Sequence, residues 1–240
     1  MGEAVRIEDV NKKYGKKTVL EDIHLSVKAG AIHGLIGPSG AGKTTIVKLI
    51  AGMETPEHGS VNVLNKKMPN IHVLKNIGYM AQSDALYSNL TGSEHLRFFA
   101  SMYKLKKSEM NERIAYAANL VNLTEDLSKK VSAYSGGMKR RLSLAIALIH
   151  NPSLLILDEP TVGIDPELKL QIWDELLRLK KEGKTIIVTT HVMDEAERCD
   201  VITMVRNGKR IAEGTPKELK QRYGTEDFDL VFLLAGRNDK

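Results

Sequence analysis

What this chain has little of already excludes several classes of protein. Only one of its 240 residues is a cysteine, Cys199. No disulfide framework can form, and the composition suits a reducing compartment with Cys199 as an ordinary packing residue. No stretch approaches the roughly 18 consecutive apolar residues that a membrane-crossing helix needs, so a direct membrane span is not expected. The opening Met1-Gly2-Glu3-Ala4-Val5-Arg6 reads as neither a secretory signal nor a myristoylation site, since Arg6 stands where the latter requires Ser or Thr. Charge of one sign is not in large excess either. The net charge is +5, with basic residues scattered among acidic ones, which describes a solvated mixed surface and gives no reason to expect nucleic acid. Internal repeats, low-complexity tracts and coiled-coil heptads are also missing. The length and apolar content suit one large α/β domain, or such a domain with an inserted subdomain.

The stretch that organises the chain runs from Gly34 to Thr45. A short apolar segment, Ala31 to Ile36, empties into Gly37-Pro38-Ser39-Gly40-Ala41-Gly42-Lys43-Thr44, a complete phosphate-binding loop between a strand and a helix. Its glycines let several backbone N–H groups converge on one point, at which the helix expected from Thr45 to Ala51 aims its positive end. A polyphosphate fits there. Lys43 would reach the β- and γ-phosphates, and the Thr44 hydroxyl would complete the coordination of Mg²⁺. The loop specifies a nucleotide without specifying what is done with it.

Taken in order, Val5 to Val10 and Leu20 to Val27 alternate as two half-buried antiparallel strands. Tyr14 lies in a Lys-rich loop between them, where either strand-end packing or a ligand contact would suit an aromatic ring. A turn at Pro56 to Ser60, a strand from Val61 and a strand Ile77 to Met80 follow, leaving Gln82 at a strand-to-loop junction. From Thr91 the pattern turns helical. Leu96, Phe99, Met102 and Tyr103 share a face, Thr91 with Glu94 reads as a capping box, and amphipathic stretches Ile114 to Leu123 and Ser135 to His150 extend the insert to Pro152. Leu154 to Leu157 is then an unbroken apolar strand of the kind buried in a parallel sheet. Asp165 and Pro166 open a helix. Strands Thr185 to Thr190, ending at His191, and Val201 to Val205 come next. The latter turns through Asn207-Gly208 into Arg210 to Ala212, and Thr215 to Glu218 caps a last short helix.

Asp158 and Glu159 end the buried strand. In a parallel sheet they would sit beside the phosphate loop, because ligands bind at the strands' C-terminal ends. Asp158 is placed to hold Mg²⁺ through water, and Glu159 to take a proton from an attacking water.

Tyr134-Ser135-Gly136-Gly137-Met138-Lys139-Arg140-Arg141 then resembles the Leu-Ser-Gly-Gly-Gln signature of ATP-binding cassette (ABC) transporter subunits. Physically it is a second helix N-terminus with exposed N–H groups. The resemblance covers nearly the whole chain. It implies that Ser135, Gly136 and Gly137 bind the γ-phosphate of ATP on an opposing subunit, that Tyr14 stacks on adenine, that Gln82 supports Mg²⁺, that Asp165 is the D-loop aspartate, and that His191 orients the γ-phosphate. Cofactor-binding residues would then be Tyr14, Gly37 to Thr45, Gln82, Ser135, Gly136, Gly137 and Asp165, the metal would be held by Thr44, Gln82 and Asp158, and catalysis would fall to Glu159, His191 and Lys43. Met138 and Tyr134 replace the usual Gln and Leu, and the variant is closest in style to prokaryotic drug-resistance and export subunits. The implied fold is a P-loop core, 1–82 and 153–220, of mostly parallel sheet with helices on both faces and an N-terminal antiparallel region. A helical subdomain, 83–152, and a short tail, 221–240, complete it. The implied function is an ATPase that dimerises around two MgATP, as homodimer or heterodimer, and powers a separate membrane permease from the cytoplasmic face. A non-transport ABC ATPase acting on ribosomes or chromosomes is the alternative.

Overall fold

A computed structural model describes residues 2–82 and 85–237; the expected start of the helical insert at residue 83 and the last three residues of the tail lie outside them. Apolar residues at alternate positions turn strands β1 (Glu3–Tyr14) and β2 (Lys17–Lys28) into an antiparallel pair, with Val5 opposite Val27 and Ile7 opposite Leu25. With β4 (His58–Val63) and β5 (Lys66–Lys67) they form a four-stranded antiparallel sheet in the order β2-β1-β4-β5. The second sheet has the order β10-β9-β3-β8-β7-β6. Its strands β3 (Ile32–Ile36), β6 (Ile77–Met80), β7 (Leu154–Asp158), β8 (Thr185–Thr190) and β9 (Val201–Arg206) are parallel, and β10 (Lys209–Gly214) closes one edge antiparallel to β9. Every residue of β3, β7 and β8 is buried, as expected for strands covered on both faces.

Helix α1 (Lys43–Ile50) lies between the two sheets. Its Ile46, Val47, Leu49 and Ile50 share a core with Val5, Ile7 and Leu25 on one side and Leu35, Ile156 and Ile187 on the other. After the short α2 (Ile71–Leu74), the insert between β6 and β7 holds α3 (Gly92–Met102), α4 (Lys107–Leu120) and α5 (Gly136–Leu148), and α3 carries the expected Thr91–Glu94 capping box. The opposite face of the parallel sheet is covered by α5 and by α6 (Pro166–Lys181), with Leu142, Leu148, Trp173 and Leu176 in one core with Leu155, Leu157 and Ile186. Helices α7 (Met193–Ala196), α8 (Pro216–Tyr223) and α9 (Phe228–Ala235) complete the chain. No helix among the described residues is long and apolar enough to cross a membrane.

Several boundaries differ from the sequence reading. Strand β1 runs on to Tyr14, which is therefore a strand residue opposite Lys17 and not part of a loop. Helix α1 starts at Lys43, ahead of the expected Thr45, and β4 starts at His58, inside the expected turn. Met102 is 62% exposed, because six residues beyond Leu96 a helix has turned it by about 120° off the buried face. The tail contains the unforeseen α9, whose Phe228, Val231 and Ala235 join the main core.

Candidate active site

The phosphate loop starts where β3 ends. A methyl group on Gly37 would lie 2.1 Å from the Val205 carbonyl oxygen, so only glycine lets the chain pass β9 at this point. Gly40 and Gly42 take left-handed backbone angles, φ 79° and 111°. Gly42 caps α1 without offering a side-chain acceptor, which leaves the first-turn N–H groups and the positive helix end to an anion. These groups face a cleft lined by Lys17, Val19, Ser39 to Thr45, Gln82 and Glu159. Gly37 and Pro38 serve it indirectly. Their carbonyls accept from the Lys43 ammonium at 2.6 and 3.1 Å, and with three donors on the ammonium one remains for a ligand. Burial of Lys43 pushes its pKa below the usual lysine value.

Asp158 stands at the end of β7 beside the loop. One carboxylate oxygen accepts from the Thr44 hydroxyl at 2.9 Å and the other from the Thr189 hydroxyl on β8. A hydroxyl and a carboxylate are hard oxygen donors of the kind Mg²⁺ takes, and their convergence beside the phosphate cradle fits that ion. The next residue, Glu159, has φ 54°, a left-handed conformation that costs an L-residue about 1–2 kcal/mol. Its N–H donates to the Thr189 carbonyl and hydroxyl at 3.1 and 3.0 Å. Thus held, the buried Glu159 carboxylate receives the Gln82 side-chain amide at 3.2 Å on one oxygen and lies 3.2 Å from His191 Nδ1 on the other. Gln82, expected beside the metal, is therefore engaged through its nitrogen with the carboxylate, which leaves its side-chain oxygen for an ion. His191 is half-exposed.

The remaining expected residues are distributed around this centre. Tyr14 is 44% exposed and has no core-packing role. The Lys12 ammonium lies 5.3 Å from its ring centre, and its hydroxyl interacts with Glu54 and with Thr45 of the cleft, burial and Glu54 raising its pKa. Ser135 caps α5, its hydroxyl accepting from Met138 N at 3.2 Å. A methyl group on Gly136 would meet nothing, and one on Gly137 would come 3.3 Å from the Gly163 carbonyl oxygen. None of these three lines the cleft. Asp165 is an exposed cap of α6, accepting from Leu168 N at 3.0 Å, and it too stands outside the cleft. Tyr134 is buried, with its hydroxyl donating to the Asp126 carbonyl at 2.8 Å.

Three polar residues buried around the site escaped the sequence reading. Thr189 ties Asp158 and the Glu159 backbone to β8; a polar pair, Thr189-Thr190, at the end of an apolar strand was its available signal. Glu195, 2% exposed, accepts from Thr161 and Thr190 and pairs with Lys169 at 2.8 Å, joining the segment after Glu159 to the residue before His191. Arg140, 7% exposed, donates to the main chain at Ala81, Gln82, Asp158 and Glu159. It stood in a basic run that gave no hint of burial.

Residues 20–162 match the family described as ABC transporter. The chain is 40% identical over 240 residues to the linearmycin resistance ATP-binding protein LnrL of Bacillus subtilis, covering 98% of this chain and 76% of that protein. It is 43% identical to the Nod factor export ATP-binding protein I of Rhizobium meliloti, covering 90% and 65%, and 39% identical to ABC transporter G family member 20 of Dictyostelium discoideum, of which it spans only 33%. Among solved structures, the ATP binding subunit of an ABC transporter superposes with a TM-score of 0.90 at 29% identity, over 97% of this chain and 99% of that one. A dimeric post-hydrolysis state of an ATP-binding cassette with ADP and Pi gives 0.81 at 26% identity, over 88% and 98%.

Proposed function

The chain belongs to the ABC transporter family, as its ATP-hydrolysing cassette, and from that premise we propose that two copies, or this chain and a similar one, close around two MgATP and drive export through a separate membrane permease at the cytoplasmic face. The observation that carries the reading is the placement of the Glu159 carboxylate between Gln82 and His191, at the mouth of the phosphate loop and next to the Thr44–Asp158 pair.

ATP enters with its phosphates on the loop N–H groups and Lys43, and its base beside Tyr14. Thr44 and Asp158, with Gln82 adjacent, would hold Mg²⁺, and the ion would supply charge neutralisation for the phosphates when bound. Glu159 accepts the proton of the attacking water, for which a carboxylate beside the phosphate is suited. His191, donating from Nδ1 to Glu159, orients the carboxylate and the γ-phosphate. The helix end at Ser135-Gly136-Gly137 lies outside the chain's own cleft, so it suits the nucleotide of an opposing subunit. The division into a core of 1–82 and 153–220 and a helical subdomain of 83–152 gives the permease a contact on the insert. The resistance and export roles named for the relatives support transport over action on ribosomes or chromosomes.

Glu159→Gln tests the reading. The amide keeps the shape but loses the basic site, so this variant should bind MgATP, fail to hydrolyse it, and elute from size exclusion as an ATP-dependent dimer. Adding Ser135→Arg should return it to monomer while ATP still binds. Wild-type turnover in Glu159→Gln, or a dimer indifferent to Ser135→Arg, would overturn the proposal.

A further inference from the structure

We propose that Arg140 is a positioning residue for ATP hydrolysis, its guanidinium clamping helix α5 to the two backbone segments that carry Gln82 and Glu159. The inference rests on the assignment of Glu159 as the base and goes beyond it.

Arg140 occupies the second turn of α5, the helix whose N-terminus is Ser135-Gly136-Gly137. One terminal nitrogen donates to the carbonyls of Ala81 at 3.2 Å and Gln82 at 2.6 Å, just past the end of β6. The other donates to the carbonyls of Asp158, at 2.5 Å, and Glu159, at the end of β7. These strands are parallel neighbours, with Met80 opposite Leu157. The cation therefore sits behind the row of functional side chains and holds the main chain from which they project. Among the described residues no carboxylate lies in ion-pair range of it. Carbonyl dipoles compensate a buried cation, and four carbonyls from two strand ends match the planar fork of a guanidinium in a way that a point-like ammonium cannot.

Two features give this clamp a catalytic consequence. Glu159 is held in an unfavourable backbone conformation, φ 54°. Its carbonyl is bound by Arg140 and its N–H by Thr189, so loss of either support frees the carboxylate to leave the position between Gln82 and His191. The same helix also presents the exposed signature N–H groups, so a displacement of α5 by a phosphate at Ser135-Gly136-Gly137 is passed by Arg140 to Gln82 and Glu159 of the same chain. Arg141, the next residue, provides the contrast. It donates to the carbonyls of Val121 and Asn122 at 3.1 and 2.9 Å, within the insert and away from the site.

The test compares Arg140→Lys, Arg140→Gln and Arg141→Lys in the full chain, reading kcat and KM for MgATP, the affinity for a fluorescent ATP analogue, and thermal stability. Arg140→Lys should lower kcat on the order of tenfold while KM and analogue affinity stay within about threefold, because misplacing the reacting groups affects the transition state and not the bound ground state. Arg140→Gln should lower kcat further. Arg141→Lys should leave kcat within about twofold whatever it does to stability. Retention of wild-type kcat by Arg140→Lys, or a loss shared equally by Arg141→Lys, would overturn the inference while leaving the ATPase assignment intact; a wild-type chain that does not hydrolyse ATP would overturn the proposed function itself. Arg140→Lys keeps the charge and the apolar stem, so a collapse of Arg140→Gln alone leaves the comparison readable.

Discussion

Tyr14 ends β1 with nearly half its surface open, its ring under the Lys12 ammonium and its hydroxyl toward Thr45. An exposed ring contributes little to folding, so its position is better explained by a planar ligand than by packing. Tyr14→Ala should weaken ATP binding by about 1–3 kcal/mol, the range for a base stacked on an aromatic side chain, and Tyr14→Trp should preserve it, both with unchanged melting temperature. Titration of each variant with nucleotide and a parallel thermal scan decide the matter. A lower melting temperature with unchanged affinity would make Tyr14 a structural residue. Glu159 is the opposite kind of residue, buried and strained, and its usefulness depends on its neighbours Thr189, Arg140, Gln82 and His191.

Among the elements, the α5–β6 contact decides how the helical insert meets the sheet. The Gly78 backbone on β6 approaches α5 so closely that an added methyl group would fall 2.2 Å from the Ala147 carbonyl oxygen, 2.7 Å from Pro152 and 2.9 Å from Leu155. The Ala147 carbonyl belongs to the last turn of α5 and cannot step aside without moving that turn. Gly78→Ala should therefore push α5 off the sheet and destabilise the protein by about 1–3 kcal/mol, as overpacking does, with a shifted urea midpoint as the readout. Because α5 also carries Arg140, the fall in kcat should exceed what the loss of folded protein explains. An unchanged midpoint would mean that α5 has more freedom than this contact allows.

At the scale of the whole molecule, the insert leaves an apolar groove beside the Gln82 segment, lined by Met53, Tyr79, Ala85, Leu86, Phe99 and Ile146 among others. Tyr87 and Phe98 stand nearby at 58% and 42% exposure, their rings 6.1 Å apart edge to face. A permease segment docked there would touch both the insert and the loop bearing Gln82. Affinity purification of the chain from detergent-solubilised native membranes should bring down a polytopic membrane protein, and Phe98→Asp should release it without changing ATP hydrolysis by the isolated chain. Recovery of ribosomal or chromosomal components instead would favour the alternative ABC class.

The sequence by itself determined the chemistry and most of the architecture. The spacing of glycines, Lys43 and Thr44 can be read locally, because one loop and one helix end make the phosphate cradle. The unbroken apolar run of β7 announces a buried strand with two acids at its end, and Thr91–Glu94 announces a helix start from four residues alone. What only the tertiary structure decided depends on residues far apart in the chain. The burial of Arg140 among carbonyls at the ends of β6 and β7, the grip of Thr189 on Asp158 and Glu159, and the Glu195–Lys169 pair between α7 and α6 have no short-range pattern, because the strands and helices that create them become neighbours only when the tertiary fold forms. The positive φ of Glu159 is likewise invisible in sequence, since no local preference of glutamate favours it and only the surrounding hydrogen bonds maintain it.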